Sequence, residues 1–357
     1  MALYRSVRLV TRRRNRFPTT SALTGPQGSQ KRGIAMRAVI QTGYGSADVM
    51  KLAELKQPAP GDGEVLVRVM AASLAAGEYF GMRGKPFPIR FLIGFPKPKK
   101  DFVVGIDFAG VVEEVGPNVT RFRPGDEVYG ECRGSCAEYA VAKEGSIAPK
   151  PANLSFEQAA AVPTSACTAL QGLRDHGKVR PGQKVLINGA SGGVGSFAVQ
   201  IAMALGAEVT GVCSTGNVVM VRGLGADHVI DYTQEDFTKG SARYDVILDN
   251  VASHSLSATR RVLTPDGLHV PSSGHAGLSW IIAAALSAMF VRQQAAVFVA
   301  VTNNESLLAL NELIEADKVT PVIDRTYPLG ETARAFAYLD EGHAHGKVVV
   351  AVEPARA

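Results

Sequence analysis

The sequence predicts an α/β protein that combines a β-rich unit with a doubly wound parallel sheet. Short alternating runs separated by turn residues fill the chain from Met36 to about residue 161, which is typical of a β-rich unit. From about Pro163 onward, strands alternate with helical stretches, as in a parallel sheet with helices on both faces. The third observation is a glycine cluster, Gly189 to Gly195, between the first strand and the first helix of this second region.

Length and composition are those of a globular protein. The chain has 357 residues, of which 46% are hydrophobic and 20% charged, so it is long enough for two domains and is not mainly disordered. Its formal net charge is +5, but residues 1–35 hold eight basic residues and no acidic one. The remaining 30 basic and 33 acidic residues give residues 36–357 a net charge of −3. Nucleic-acid binding by the folded part is therefore not expected.

Residues 1–35 are predicted to lie outside the fold. The segment is Arg-rich, contains seven Ser or Thr, and has no apolar core of the kind a secretory signal needs. One interpretation is an upstream start codon, with Met36 as the true first residue. The alternatives are an organelle presequence or a basic arm that binds nucleic acid. The protein is accordingly predicted to be cytoplasmic, or mitochondrial or in another organelle if the segment is a presequence.

The cysteine content and the apolar stretches argue against secretion and against a membrane span. Four cysteines are too few for a disulfide framework in a chain of this length, so a reducing compartment is expected. The apolar stretch 278–291 is shorter than the roughly 20 residues that cross a bilayer, and it is predicted to be a buried helix. The cysteines are Cys132, Cys136, Cys167 and Cys213.

The order of these patterns predicts the domain organisation. Residues 36–163 are expected to form the β-rich unit and residues 164–303 the parallel sheet. Residues 304–357 carry a helix at 307–316 and a last strand at 347–352, and they resemble the first unit, so the chain is expected to return to it. The strands predicted for the parallel sheet are 184–187, 208–213, 228–230, 246–248, 268–270 and 297–301.

The glycine cluster is predicted to bind a dinucleotide. Gly192 lets the backbone approach a pyrophosphate, Gly195 allows close helix–strand packing, and the following helix, predicted from Val194 to Leu205, offers unpaired N–H groups. A tight turn without a ligand would look alike, but the strand–turn–helix context and the β/α units that follow favour binding. The predicted contacts are Gly189, Ala190, Ser191, Gly192, Gly193, Val194 and Gly195.

The second strand of the parallel sheet favours NADPH over NADH. An NAD site has an acidic residue near the end of this strand, yet none occurs between Glu208 and Asp227. The small hydroxyl residues Ser214 and Thr215 stand there instead, and Arg222 follows as a cation for a 2′-phosphate. The alternative for Arg222 is a solvated position on a helix.

Several segments in a fixed order resemble the medium-chain dehydrogenase/reductase superfamily, in its zinc-free quinone reductase-like branch. The resemblance covers residues 36 to about 352. It implies a GroES-like catalytic domain, a Rossmann domain, a cleft between them, and a homodimer joined through the Rossmann sheets. The segments are Gly105 to Val112, Gly125 to Val128, Ala137 to Tyr139, Gly189 to Gly195, Leu224 to Tyr232 and Gly346 to Val350.

No zinc is expected. Zinc enzymes of this superfamily use Cys and His ligands, but no His precedes His176 and no Cys precedes Cys132. By resemblance, the ligand places fall at Ala75, at Ile106 and near Thr164. Cys132 and Cys136 stand where other members of the superfamily insert a lobe that binds a structural zinc. Two thiols cannot complete the four ligands of a tetrahedral zinc site.

Without a metal, the predicted reaction is hydride transfer from NADPH to a quinone or an α,β-unsaturated carbonyl, because a conjugated acceptor spreads the charge itself. A zinc-independent alcohol dehydrogenase, carbonyl reductase or enoyl reductase is the nearest alternative. The alternative from another class is a non-catalytic NADPH-binding protein with an RNA- or protein-binding role.

The predicted catalytic residues are Tyr79, Glu78 and Thr168. By resemblance, Glu78 takes the Asp place of an Asn-x-x-Asp motif whose Asn is replaced by Ala75. Tyr79 is a candidate proton donor, although it could instead be packed in a loop. Thr168 matches a family position near the nicotinamide.

Further cofactor contacts are predicted at strand ends, where open α/β sheets bind their ligands. Asn250 follows the fourth strand, and Ser273 with Gly274 follows the fifth. By resemblance, Tyr232 lies beside the adenosine phosphates. Lys347 begins the last strand and either reaches the cleft or faces solvent.

Overall fold

The structure is a computed structural model that describes residues 34–272, 293–342 and 344–352. The first part of this chain forms a mainly antiparallel β-domain. Its elements are β1 (Ala35–Gln41), β2 (Met50–Lys56), β3 (Glu64–Leu74), α1 (Ala76–Arg83), α2 (Ile89–Ile93), β4 (Asp107–Val115), β5 (Glu127–Glu131), β6 (Tyr139–Lys143), β7 (Ile147–Pro149) and α3 (Phe156–Ala160).

β3 is the central strand of this domain. It pairs antiparallel with β4 and with β6, while β1 and β2 form a separate two-stranded ribbon. Val65, Val67 and Val69 alternate along β3 and are buried in the core, as expected for a strand with one apolar face.

The second part forms the nucleotide domain. Its strands lie in the order β10-β9-β8-β11-β12-β13, and every pairing is parallel, which confirms the predicted doubly wound sheet. The order reverses between β8 and β11, and such a switch point is where open sheets bind ligands. The elements are α4 (Pro163–Leu170), β8 (Lys184–Asn188), α5 (Gly193–Ala204), β9 (Glu208–Cys213), α6 (Val218–Gly223), β10 (His228–Asp231), β11 (Tyr244–Asp249), α7 (Leu256–Arg261), β12 (Leu263–Pro271) and β13 (Gln294–Ala295).

The predicted strand at 297–301 is wrong. The edge strand is β13, two residues long, which pairs with Leu268 and His269 of β12. The backbone of Val301 is held instead by a side chain, because the Gln171 amide donates to its carbonyl at 2.7 Å and accepts from its N–H at 3.1 Å. Alternation of valines therefore did not produce a strand.

The last part of the chain returns to the β-domain. Its elements are α8 (Asn304–Glu315), β14 (Ile323–Pro328), α9 (Thr332–Asp340) and β15 (Lys347–Ala351). β15 pairs antiparallel with β3 and parallel with β14. The helix predicted at 307–316 begins earlier because Asn303 caps it, accepting the Ser306 N–H at 2.8 Å.

No helix among the described residues is long and apolar enough to cross a membrane. The buried helix predicted at 278–291 lies outside the described residues. The four cysteines are free thiols, and all of them are buried.

Candidate active site

The glycine turn, residues 189–195, connects β8 to α5. Gly189 has a φ of +77°, in the left-handed region that favours glycine. A Cβ on Gly195 would lie 2.0 Å from the Gly189 carbonyl oxygen, so only glycine lets α5 start this close to the turn. A Cβ on Gly192 would meet nothing nearer than 3.6 Å. Packing therefore requires Gly195, whereas a Cβ at Gly192 would make only an ordinary van der Waals contact, and Gly192 borders empty space.

That space belongs to a cleft of about 820 Å³ at the switch point of the sheet, with walls from both domains. The volume lies within the usual range for ligand and cofactor sites, roughly 300–1,000 Å³. The cleft brings together predicted residues from five separate parts of the chain. Those that line it are Tyr79, Gly189, Ser191, Gly192, Gly193, Val194, Gly195, Tyr232, Asn250 and Lys347.

A buried ion pair lies at the floor of the cleft. Lys347 Nζ is 3.2 Å from Asp107 Oδ2 and 3.1 Å from Ser165 Oγ, and the side chains of the pair are 2% and 0% exposed. The neighbouring Gly346 N–H donates to Ser191 O of the glycine turn at 2.9 Å. Thus β15 joins the glycine turn to the β-domain, and Lys347 faces the cleft rather than solvent. No local pattern in the sequence singles out Asp107 or Ser165, although Asp107 lies in a segment that carries the family resemblance.

Glu78 holds the first turn of α1. Its Oε2 accepts the N–H of Ala75 at 2.8 Å, while its Oε1 is buried. Burial raises the pKa of Glu78 to about 8; the Ala75 N–H and Lys347 oppose this, and the Asp107 carboxylate adds to it. Glu78 does not reach the cleft surface, and its carboxyl is protonated at neutral pH.

Tyr79, the next residue, lines the cleft. Burial and a hydrogen bond to Asp340 raise the pKa of its hydroxyl above the ordinary value. The Arg83 guanidinium lies 5.2 Å from the centre of the Tyr79 ring and also pairs with Asp340. The tyrosine therefore keeps its proton at physiological pH and can act as a hydrogen-bond donor.

Two other predicted residues lie behind the cleft surface. The Thr168 hydroxyl is buried and donates to Thr164 O, one turn earlier in α4, at 2.7 Å. Ala190, within the glycine turn, is fully buried. Ser273 and Gly274 fall outside the described residues.

The end of β9 differs from the expected 2′-phosphate site. The Thr215 hydroxyl donates to Asp231 Oδ2 at 2.6 Å, and this hydrogen bond holds the pKa of Asp231 below its ordinary value. Ser214 Oγ accepts from the Asn217 amide at 3.0 Å. Arg222 is exposed near the end of α6, and the structure does not bring it to the cleft. The sequence does not reveal that Asp231 lies at the end of β9. Asp231 belongs to β10, and the pairing of β10 with β9 in the sheet brings it there.

A polar network supports the strand ends at the switch point. The Asn250 amide donates to Asn188 O at 3.0 Å, and the Asn188 amide donates to Asp249 Oδ1 at 2.8 Å. Burial alone would raise the pKa of Asp249, but hydrogen bonds from His269 and the Ala252 N–H hold it below its ordinary value. Asp249 is thus a buried carboxylate that orders the cleft edge.

The places of the zinc ligands hold no suitable donor set. Ala75 and Ile106 carry no ligand atom, and the Thr164 hydroxyl is bonded to Asp107. Nowhere in residues 34–272, 293–342 and 344–352 do three His, Cys, Asp or Glu side chains group so that they could hold a metal ion. Burial raises the pKa values of the Cys132 and Cys136 thiols well above the ordinary value. These residues do not fit a catalytic zinc.

A glycine turn at the switch point of a parallel sheet, facing a β-domain across a cleft, is the arrangement of a two-domain nucleotide-binding protein. Two family models match the chain, one for each half. Residues 61–152 match the alcohol dehydrogenase GroES-like domain, and residues 224–350 match a model described as a zinc-binding dehydrogenase.

Individual relatives cover most of the chain. A 2-methylene-furan-3-one reductase of Solanum lycopersicum is 34% identical, covering 88% of this chain and 79% of that protein. A chloroplastic NADPH-dependent alkenal/one oxidoreductase of Arabidopsis thaliana is 33% identical with the same coverage. The structure of a quinone oxidoreductase from Coxiella burnetii matches with a TM-score of 0.81 at 31% identity, covering 90% of this chain and 100% of that one.

The chain therefore belongs to the medium-chain dehydrogenase/reductase superfamily, in its quinone-oxidoreductase-like branch. This confirms the resemblance seen in the sequence, and with it the GroES-like domain and the Rossmann-type sheet. The protein is an NAD(P)H-dependent oxidoreductase.

Proposed function

We propose that the protein transfers hydride from NADPH to an α,β-unsaturated carbonyl compound or a quinone, without a metal. One observation carries the proposal: the cleft joins the glycine turn to a wall that offers a tyrosine hydroxyl and apolar side chains, but no set of metal ligands. That absence holds for the part of the chain that the structure describes. The tomato and Arabidopsis relatives, named a 2-methylene-furan-3-one reductase and an alkenal/one oxidoreductase, support this class of acceptor.

The nucleotide supplies the hydride when bound, and the protein supplies position and polarity. The backbone N–H groups at the start of α5 would hold the pyrophosphate, with the open space at Gly192 allowing its approach. Lys347 adds a fixed positive charge at the cleft floor, neutralised in part by Asp107.

The acceptor side needs a hydrogen-bond donor and protection from water. When hydride reaches the β-carbon of an enone, negative charge moves to the carbonyl oxygen, and a proton from solvent or a protein group then completes the α-carbon. Tyr79 lines the cleft and would turn its single O–H from Asp340 to that oxygen when an acceptor is bound. Leu74 and Leu339 line the same cleft and exclude water.

The preference for NADPH belongs to the same proposal. β9 carries no acidic side chain at its end, and the Arabidopsis relative is named as NADPH-dependent. Asp231 is the acidic residue nearest along the sheet, and it is engaged by Thr215. We expect a higher kcat/KM with NADPH than with NADH.

A matched pair of substrates tests the reaction. But-3-en-2-one and butan-2-one differ only in the conjugated double bond, so the proposal expects NADPH oxidation with the first and none with the second. With NADPH deuterated at the transferable position, the product should be butan-2-one labelled at the former β-carbon. Equal turnover of butan-2-one would instead identify a carbonyl reductase.

A metal chelator provides the second test. The proposed reaction keeps its full rate after dialysis against a chelator, and the purified protein contains no stoichiometric zinc. Loss of activity on chelation, restored by zinc, would contradict the metal-free mechanism. One matching family model is described as a zinc-binding dehydrogenase, but that description does not decide whether this protein binds zinc. The positions of the zinc ligands hold residues that are not zinc ligands in this chain.

Assembly and location are also proposals. The homodimer implied by the family would be tested by light scattering, with a mass twice that of the chain. Import into an organelle is supported by the composition of residues 1–35 and by the Arabidopsis relative, which is named chloroplastic. N-terminal sequencing of the native protein separates a processed end from a start at Met36, which would support the predicted cytoplasmic location.

A further inference from the structure

An exposed group of apolar side chains lies on and around α2. Phe87, Phe91, Leu92 and Phe95 are 53%, 67%, 78% and 59% exposed. The three phenylalanines form one cluster, with ring centroids 5.7 to 5.9 Å apart. Contiguous apolar surface of this kind marks an interaction site more often than scattered single residues do.

The same segment is strongly cationic. Residues 83–100 contain six Lys or Arg and no acidic residue, although residues 36–357 as a whole carry a net charge of −3. Four of the six are exposed lysines that form no ion pair with any residue the structure describes. We call these lysines and the four apolar residues together the α2 surface; the lysines are Lys85, Lys97, Lys99 and Lys100.

The α2 surface is held in place by contacts on its inner side. The Tyr44 hydroxyl donates to Gly94 O at 2.5 Å, and Arg90 Nε donates to Gly84 O at 3.1 Å. The Arg90 guanidinium also stacks 4.6 Å from the centre of the Tyr44 ring. These contacts fix the backbone while the aromatic rings and the four lysines stay outside.

We propose that the α2 surface docks the protein on an anionic lipid bilayer. Aromatic and leucine side chains partition into the boundary between headgroups and acyl chains, and lysines extend to lipid phosphates. Each basic side chain near an anionic membrane adds to the attraction between the protein and the lipid surface. Phe91 and Leu92 would supply the apolar insertion. The charges of Lys97, Lys99 and Lys100 would supply the electrostatic attraction.

Charge favours a bilayer over a protein as the occupant. In a two-fold contact between copies of this chain, the same surface faces itself, and the lysines of one copy would meet those of the other. Lysine is also depleted from protein–protein interfaces. A negatively charged lipid surface is complementary to the lysines and accepts the aromatic side chains as well.

The docking surface adjoins the acceptor side of the cleft. α1 carries Tyr79 into the cleft wall, and its Gly81 packs against α2, where a Cβ would lie 3.2 Å from Ile93 Cδ1. Docking would bring the cleft to apolar acceptors dissolved in the membrane. This consequence rests on the proposed function, whereas lipid binding does not.

Vesicle co-sedimentation of the full chain tests the proposal, with vesicles of phosphatidylcholine alone or mixed with phosphatidylserine. We expect binding to the mixed vesicles and a loss of at least about tenfold in two variants, Phe91→Ser/Leu92→Ser and Lys97→Glu/Lys99→Glu/Lys100→Glu. The matched control, Lys56→Glu/Lys143→Glu/Lys318→Glu, makes the same charge change at exposed lysines elsewhere and should keep its binding. Residues 1–35 are common to all four proteins, so they do not account for a difference.

Two vesicle results would overturn the proposal: no binding by the wild-type chain, or a loss of binding in the control variant equal to that in the α2-surface variants. A third is a Phe91→Ser/Leu92→Ser variant that is a monomer where the wild type is a dimer and that binds vesicles as the wild type does. NADPH-dependent turnover of but-3-en-2-one in solution should be unchanged in both α2-surface variants. Failure of lipid binding with that activity intact would refute docking and leave the proposed function standing.

Discussion

The two halves of the cleft are built in different ways. In the proposed division of the cleft, the cofactor half is centred on the backbone of one continuous segment, Gly189 to Gly195, at the switch point of the sheet. The acceptor half and the floor are formed by side chains from distant segments, among them Tyr79, Ser165 and Lys347. A site made of continuous backbone can be recognised as a motif, whereas a site assembled from distant side chains is decided by packing.

The largest expected effect separates two glycines of the cofactor half. In Gly195→Ala the new Cβ would lie 2.0 Å from the Gly189 carbonyl oxygen, so α5 must move and little folded protein should remain. We expect a stability loss of at least about 3 kcal/mol, measured by thermal or denaturant unfolding.

The matched variant Gly192→Ala has 3.6 Å to its nearest neighbour and should fold normally. Its methyl group enters the space proposed for the pyrophosphate, so the Kd for NADPH should rise at least about tenfold, which is ~1.4 kcal/mol. Equal stability of the two variants, or unchanged NADPH binding by Gly192→Ala in calorimetry, would contradict this division of roles.

The next effect concerns the ion pair that joins the two halves. Lys347→Met leaves the Asp107 carboxylate buried without its cation, and such a change costs about 3–5 kcal/mol. Asp107→Asn added to Lys347→Met removes the uncompensated charge and should restore part of the unfolding free energy. Urea unfolding of the single and double variants measures both.

The control for this pair is Lys184→Met. Lys184 is paired with Glu208 at 3.5 Å, but its side chain is 55% exposed, so its loss should cost less than about 1 kcal/mol. Similar costs for Lys347→Met and Lys184→Met would show that burial does not govern the strength of the Lys347–Asp107 pair.

A smaller effect is expected at the acceptor half. Tyr79→Phe removes the hydroxyl that would donate to the developing oxyanion, so kcat for an enone should fall about 10- to 100-fold. The Kd for NADPH, measured by fluorescence, should stay unchanged because the glycine turn is untouched. Unaltered kcat would exclude the Tyr79 hydroxyl from the reaction and leave it a packing role beside Arg83 and Asp340.

The smallest predicted effect is the pH dependence carried by Glu78, whose pKa is raised to about 8 by burial. Between its unfolded pKa, about 4.3, and this value, the folded state binds more protons than the unfolded state. Wild-type stability should therefore fall as the pH rises through that window and become level above it.

Glu78→Gln keeps an acceptor for the Ala75 N–H and has no charge to bury. Its advantage over the wild type in thermal unfolding should grow from pH 5 to pH 8. If the unfolding temperatures of the two proteins instead change with pH in parallel across that range, burial imposes no cost on the charged carboxyl of Glu78.

The sequence pattern and the observed structure agree over most of the fold and differ at particular residues. The alternating valines at 297–301 predicted a strand, but the Gln171 amide took the backbone groups of Val301. Asp231 comes to the end of β9 only because β10 pairs with that strand. No local pattern carries such information, since each case depends on a partner far along the chain.

The sequence by itself determined the order of strands and helices, the glycine turn and the absence of ligand residues at the zinc places. Those features depend on local backbone preference and on which side chains are present. Tertiary structure decided that Lys347 is buried against Asp107, that Glu78 keeps its proton at neutral pH, and that Tyr79 faces the cleft. These properties depend on burial and on charges brought together from distant segments, which only the folded chain defines.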